Sequence, residues 1–197
     1  MSTRILIQYN ERWINEATVI DKCPEKDKRL CTKLGICFSN SNKHPKLQVK
    51  QCGLVVKDNS FGSKKFIACD PVIPQEGIHE FTFQINKNGA VYVGMCILDK
   101  INFESGYVNI WDNHNHGTYL LCNDGFAFSN DSPQENKVET HFKFQKSDKI
   151  TVFVNQTTKT IKWHKFGTNE IIQMRFKNNK NLYPCLMIEG QKITIMD

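Results

Sequence analysis

Apolar residues recur at every second position along most of this chain, the spacing of strands rather than helices. In GIHEFTFQINKNGAVYVGMCILD, residues 77–99, Phe81, Phe83 and Ile85 alternate with Glu80, Thr82 and Gln84, which predicts a strand with one buried face. Asn86-Lys87-Asn88-Gly89 then predicts a tight turn, closing a hairpin with the strand that follows. In that strand Val91, Val93, Met95 and Ile97 alternate with Ala90, Tyr92, Gly94 and Cys96. It is apolar on both faces, so both must be covered, as between packed sheets or under loops. TYLLCNDGFAF predicts a hairpin around Asn123-Asp124-Gly125, and KITVFVNQTTKTIKWHKFG another that sets Ile150, Val152 and Val154 against Ile161 and Trp163. RILIQY, LQVKQCGLVVK, KFIAC, EIIQMRF, LYPCLMI and QKITIM read as further short strands, and NERWINEATVID as the one short helix.

Many short strands without strand–helix alternation predict an all-β fold, a two-sheet antiparallel β-sandwich with little helix. Residues 21–46 are the most polar and irregular stretch. We therefore expect an N-terminal extension over residues 1–46, packed on a sandwich domain over residues 47–197.

Composition narrows the function classes. Of the 197 residues 40% are hydrophobic and 23% charged, which excludes a disordered chain. The net charge of +6 comes from scattered Lys and Arg rather than from one stripe, so no specific nucleic-acid partner is expected. No apolar run approaches the roughly 20 residues of a membrane span, and the N-terminal stretch does not read as an export signal. The expected location is cytoplasmic or nuclear. Cys69, Cys96, Cys122 and Cys185 sit inside apolar runs, the setting of buried free thiols rather than of disulfides.

From residue 77 onward the order of motifs resembles the SPRY (B30.2-type) domain family. GIHEFTF followed by VYVGMCI is similar to the family's G-x-H-x-W/F-x-V strand and V-G strand. IWDNHNHGTYLLCNDGFAF, SDKITVFVNQTTKTIKWHKFGTNE and NLYPCLMIEGQKITI resemble its next loop and Asp-Gly turn, its central hairpin and its closing strand pair. Phe81 stands where the family commonly has Trp, and Thr157-Thr158 replace the usual Asp and Gly of the hairpin turn. The resemblance spans roughly residues 50–197. It implies a bent jelly-roll sandwich without catalytic activity that binds a short segment of a partner protein through loops on one face.

FESGYVNIWDNHNHGTY is the expected recognition loop. Tyr107, Trp111 and Tyr119 offer amphipathic aromatic area, and Asn109 and His116 offer polar partners for an extended peptide. The resemblance makes Tyr107, in a Gly-Tyr pair, a ligand contact, and adds Lys65, Ile67 and Ala68 from the KKFIACDPV segment and Glu189 from the final turn. Glu189 replaces an aromatic found in some relatives and would favour a basic or amide-rich ligand. Asp112, His114 and His116 form a sparse metal pattern, and no nearby Glu or His completes the expected ligand set. No metal, cofactor or catalytic residue is assigned. The expected function is that of a non-enzymatic peptide-binding adaptor or scaffold. The alternative is a carbohydrate-binding lectin-like jelly roll, which also uses aromatics beside Asp and Asn.

Overall fold

The computed structural model describes residues 31–105, 114–177 and 180–196. Within them fifteen strands form two sheets, antiparallel but for one short pairing. Sheet A contains β1 (Cys31–Lys33), β3 (Gln48–Lys50), β4 (Val55–Lys57), β6 (Ile78–Ile85), β11 (Lys149–Asn155), β12 (Thr160–Lys165), β13 (Ile171–Arg175) and β15 (Lys192–Met196). Sheet B contains β2 (Cys37–Lys43), β5 (Lys65–Asp70), β7 (Ala90–Cys96), β8 (Thr118–Cys122), β9 (Phe126–Phe128), β10 (Val138–Glu139) and β14 (Tyr183–Glu189). The order is β13-β12-β11-β6-β15-β4-β3 in sheet A and β10-β9-β8-β7-β14-β5-β2 in sheet B. β1 lies parallel to β6, beside Ile78–Glu80. Residues 31–46, assigned to the extension from sequence, thus supply strands to both sheets. RILIQY and the expected helix lie outside the described residues.

One expectation is corrected. β6 and β7 do not form a hairpin; the turn at Asn86–Gly89 carries the chain from sheet A to sheet B. β6 already pairs with β11 on one side and with β15 and β1 on the other, while β7 lies between β14 and β8. The connection is an arch between layers. β14 to β15 makes a second arch through Gly190, and β4 to β5 a third through residues 58–64. Because β4, β15 and β6 are neighbours in one sheet and β5, β14 and β7 in the other, the three arches stand side by side.

The doubly apolar strand now has its reason. Val91, Val93 and Met95 face the inter-sheet core with Phe81, Phe83, Val152 and Trp163. Tyr92 and Cys96 face outward into a second apolar cluster with Phe66, Leu120, Phe128 and Met187. Residues 97–105 lie against that outer face: Ile101, Leu98 and Phe103 pack on it, and the Phe103 ring reaches Phe66 of β5 at 6.1 Å. The layers are also joined by a directed bond, as the buried Trp163 indole N–H donates to the Val93 carbonyl oxygen at 2.8 Å. The Thr157-Thr158 departure is absorbed locally: Asn155 Oδ1 accepts both backbone N–H groups, and β11 and β12 still pair from Asn155 and Thr160 onward.

Gly94 sets the spacing of β7 and β8. A Cβ there would collide with the backbone carbonyl of Tyr119 on the adjacent strand, which no rotamer change can relieve. We expect Gly94→Ala to destabilise the fold by about 3 kcal/mol, the upper end for overpacking against a rigid wall. Urea unfolding followed by tryptophan fluorescence checks this, and an unchanged midpoint would contradict the packing described.

Candidate functional site

The arch from β4 to β5 is built around a buried carboxylate. Asp58 follows β4 and is inaccessible to solvent, and Lys65, which opens β5, is 1% exposed. Lys65 Nζ donates to Asp58 Oδ2 at 3.0 Å and to the Ser63 carbonyl at 2.8 Å. The Ser60 N–H and hydroxyl donate to Asp58 Oδ1 at 3.0 and 2.8 Å, and the Gly190 N–H donates to Oδ2 at 3.0 Å. Burial by itself raises the Asp58 pKa, but hydrogen bonds from Ser60, Lys65 and Gly190 outweigh it and hold the carboxyl below its ordinary value. Charge pairing alone does not justify a buried ion pair, since desolvation offsets it. Here the pair also satisfies three backbone groups and fixes the loop's path.

That loop presents Phe61, 72% exposed, at its outer end. Its ring lies against Gly190, whose φ of +62° and missing Cβ leave the space the ring fills. Lys87 of the neighbouring arch places its ammonium 5.3 Å from the ring centroid. Glu189 accepts the Gly62 N–H at 2.7 Å, holding the loop from the other side. Gln191 completes the brace, its side-chain amide donating to the Gly89 carbonyl at 2.7 Å while its backbone carbonyl accepts the Asp58 N–H at 2.8 Å. The result is an apolar ring on a stiff base, bordered by one ammonium and one carboxylate. Phe61 was not singled out from sequence, because an aromatic in a polar loop carries no periodic signal; the following Gly was the available hint.

The residues expected from sequence fall into three groups. Tyr107, Asn109 and Trp111 lie outside the described residues. Glu189 is half-buried beside Phe61 and belongs to this patch. Lys65, Ile67 and Ala68 are buried, as are Tyr119 and His116. Their placement as surface contacts is corrected accordingly: β5 runs between β14 and β2, so Ile67 faces the inter-sheet core and Ala68 the outer apolar cluster, while Lys65 is drawn inward by Asp58. These side chains shape the surface from beneath.

Tyr119 and His116 sit at the other end of sheet B. Tyr119 pairs across from Met95, whereas Glu189 pairs across from Ala90, so about 17 Å of strand separates the two positions. The Tyr119 ring packs on Phe176 at 5.8 Å, and its hydroxyl donates to Asp131 Oδ1 at 2.6 Å. Burial, together with the Asp131 carboxylate, pushes the Tyr119 pKa far up, so the phenol stays protonated. His116 Nδ1 lies 3.2 Å from the Thr118 N–H and 2.8 Å from its hydroxyl, and Nε2 lies 3.3 Å from Asn136 Oδ1. The ring therefore carries its proton on Nε2, and both nitrogens are occupied. Among the described residues no group of three or more His, Cys, Asp or Glu side chains is placed to hold a metal. Cys37, Cys52, Cys69, Cys96, Cys122 and Cys185 are free thiols. Among the described residues, no helix is long and apolar enough to cross a membrane.

Comparison with known proteins identifies the class. The profile of the SPRY domain family matches residues 78–197, more than half of the chain. The chain belongs to the SPRY domain family, whose members are protein-interaction modules and generally non-catalytic. Among solved structures it is similar to the SPRY domain of human HERC1, with 21% identity over 81% of this chain and 97% of that one and a TM-score of 0.62. It is similar to the TRIM65 PSpry domain at 11% identity over 89% and 97%, with a TM-score of 0.67. It also resembles part of stonustoxin, at 13% identity over 83% of this chain and 27% of that one, with a TM-score of 0.63. These likenesses establish the shared fold. No curated protein sequence matches the chain.

Two expectations follow from this chemistry. Asp58→Asn leaves the Lys65 ammonium buried without its counter-charge and should destabilise the protein by about 3–5 kcal/mol, read from the urea midpoint. Burial lowers the His116 pKa from 6.5 to about 4, so its neutral form belongs to the folded state. The stabilisation is fully present above pH 6.5 and is lost as pH falls towards 4, by about 3 kcal/mol if His116 acts alone. An imidazole NMR titration should show His116 neutral at pH 5.5; half-protonation there would contradict the buried geometry.

Proposed function

We propose that the protein is a non-enzymatic adaptor or scaffold module that captures a short linear segment of a partner protein at the triple-arch end of the sandwich. The observation that carries this reading is Phe61, the most exposed of the large apolar side chains described, on a loop braced from below by Asp58 and from the side by Glu189 and Gly190. An aromatic held this way loses little freedom on binding and can supply much of an interface's affinity. Lys87 and Glu189 beside it offer opposite charges to the partner's polar groups.

The recognition loop fits the same reading. Its described first part, residues 103–105, begins with Phe103, which packs on the outer face of sheet B and reaches Phe66 on β5, the strand that Lys65 opens. Tyr107 follows two residues after that part, and we assign it and Asn109 and Trp111 to the same contact surface, with His116 and Tyr119 as its internal supports. The HERC1 and TRIM65 domains share this sandwich, which supports an interaction role without supplying a partner. A cytoplasmic or nuclear setting with a protein partner, and no nucleic acid or membrane, remains part of the proposal.

Panning the chain against a displayed peptide library should enrich one motif. Phe61→Ala should weaken binding of the selected peptide at least about 10-fold, within the range of interface anchors, and Tyr107→Ala should weaken it as well. Both substitutions should leave the urea midpoint unchanged. If a folded wild-type protein selects no peptide, or if Phe61→Ala binds as well as wild type, the reading fails. Sugar binding in a glycan screen would favour the lectin alternative.

A further inference from the structure

β13 is the outermost strand of sheet A, and among the described residues its far side has no partner strand. The register shows which backbone groups point there. The Lys165 N–H donates to the Glu170 carbonyl at 3.2 Å, and the Phe176 N–H to the Lys159 carbonyl at 2.9 Å. Both pairs continue the ladder in which Trp163 faces Ile172 and Ile161 faces Met174. Bonded and non-bonded pairs alternate along an antiparallel ladder, so Ile172 and Met174 bond to β12. Ile171, Gln173 and Arg175 therefore aim their N–H and C=O groups at the open side, and all three residues are exposed.

Sheets usually blunt such edges with short strands, bulges, prolines or charges. The other three ends of the two sheets follow this rule: β3 has three residues, β10 has two, and β2 breaks its register between Phe38 and Lys43. β13 instead runs five residues in unbroken register, without proline and with a single charge, Arg175. Apolar side chains border it. Phe166 and Ile171 are two of the three exposed large apolar residues described. Ile171 stands across from His164. Phe166 lies two residues beyond His164, with its ring centroid 5.5 Å from the Lys149 ammonium.

We propose that β13 pairs antiparallel with β13 of a second copy of this chain, joining the two A sheets across a two-fold axis. The strand is self-complementary in that register. With Gln173 opposite its own counterpart, Ile171 faces Arg175 and Ile172 faces Met174. All three outward residues then meet outward residues, and each of these bonded pairs exchanges two N–H···O bonds. No like charges stand opposite each other, and an amide facing an amide can both donate and accept. On the inner face Ile172, half-buried at the rim of the core, meets Met174. Capture of an unrelated strand would not require this self-complementarity. A two-fold contact also closes on itself, so it ends at a dimer and not at a fibre. The inference is independent of segment capture. Four strands of sheet A separate β13 from β4, which leads to the Phe61 loop, so the dimer leaves one such loop exposed on each protomer.

Sedimentation equilibrium of the full chain should show a reversible monomer–dimer exchange with a Kd between about 1 μM and 1 mM, the range of a small edge contact. As the concentration rises, amide exchange should slow at Ile171, Gln173 and Arg175, whereas Ile172 and Met174 should be protected throughout. Gln173→Lys sets two ammonium groups face to face and should weaken the dimer about 5-fold or more, as should Gln173→Glu with two carboxylates. An equimolar mixture of these variants should dimerise at least as well as wild type. Both alter an exposed side chain, so an unchanged urea midpoint is expected. Gln173→Pro deletes an edge donor without removing a bond to β12, and should weaken the dimer about 10-fold or more. Phe61→Ala should leave the exchange unchanged.

A mass of one chain up to about 1 mM overturns the proposal. A dimer that ignores Gln173→Lys, or that dissociates on Phe61→Ala, overturns its location. Masses that grow beyond two chains overturn the closed two-fold contact. A library peptide that slows exchange at Ile171, Gln173 and Arg175 while the chain stays monomeric would assign the edge to a partner's strand, and likewise overturns self-pairing.

Discussion

The triple-arch end of this sandwich depends on one buried carboxylate. Asp58 sits where three inter-sheet arches meet, and its two oxygens accept from Lys65, from Ser60 twice and from Gly190. A sandwich made of arches has a weakness that hairpins avoid. Consecutive strands are not hydrogen-bonded to each other, so the connecting turns have no ladder to define them. Here the turns define one another. Asp58 ties the β4–β5 arch to the β14–β15 arch, Gln191 ties the latter to the β6–β7 arch through Gly89, and Asn123 adds a bond to Gly89 from the β8–β9 turn. Burial raises the carboxyl's pKa, and the hydrogen bonds from the Ser60 backbone, the Lys65 ammonium, the Ser60 hydroxyl and the Gly190 backbone together outweigh it. That balance accounts for the lowered pKa of Asp58 at a fully buried site.

The periodic part of the fold was legible because burial and alternation carry the same information. β6 alternates half-buried and buried residues throughout its length, as Glu80, Thr82 and Gln84 against Phe81, Phe83 and Ile85 foretold. The strand pairs β8–β9 and β11–β12 are hairpins, as their turn residues indicate. What alternation could not tell was which sheet each strand joins. Asn-Lys-Asn-Gly between two apolar strands serves a hairpin or an arch equally well, since the difference lies in partners distant in sequence. The apolar outer face of β7 held the clue: a strand coated on both faces needs a second layer, and residues 97–105 provide it.

The functional residues were legible to the extent that position in a motif equals position in space. The resemblance pointed to the segments KKFIACDPV and IEG, but of the residues chosen within them Lys65, Ile67 and Ala68 are interior. In a strand covered on both faces, every side chain is interior. The exposed chemistry of that region lies a few residues earlier, at Phe61, in the loop that β5 anchors. Lys65 shows why charge alone misleads as a surface signal: a lysine is 1% exposed when a neighbouring carboxylate and a backbone carbonyl replace its water.

The two ends of sheet B constrain any single ligand that would use both. β7 runs seven residues from Ala90, beside Glu189, to Cys96, beside the loop that carries Lys100. Its length is about 20 Å at 3.3 Å per residue. An extended peptide covers the same span in about six or seven residues, and the path between the ends crosses residues 97–105, which cap the outer face of the sheet. A segment long enough to run from Phe61 to the far end of the sheet would therefore lie along that cap. On the proposed reading, the length of the partner segment beyond its apolar anchor would decide how far it reaches along the sheet.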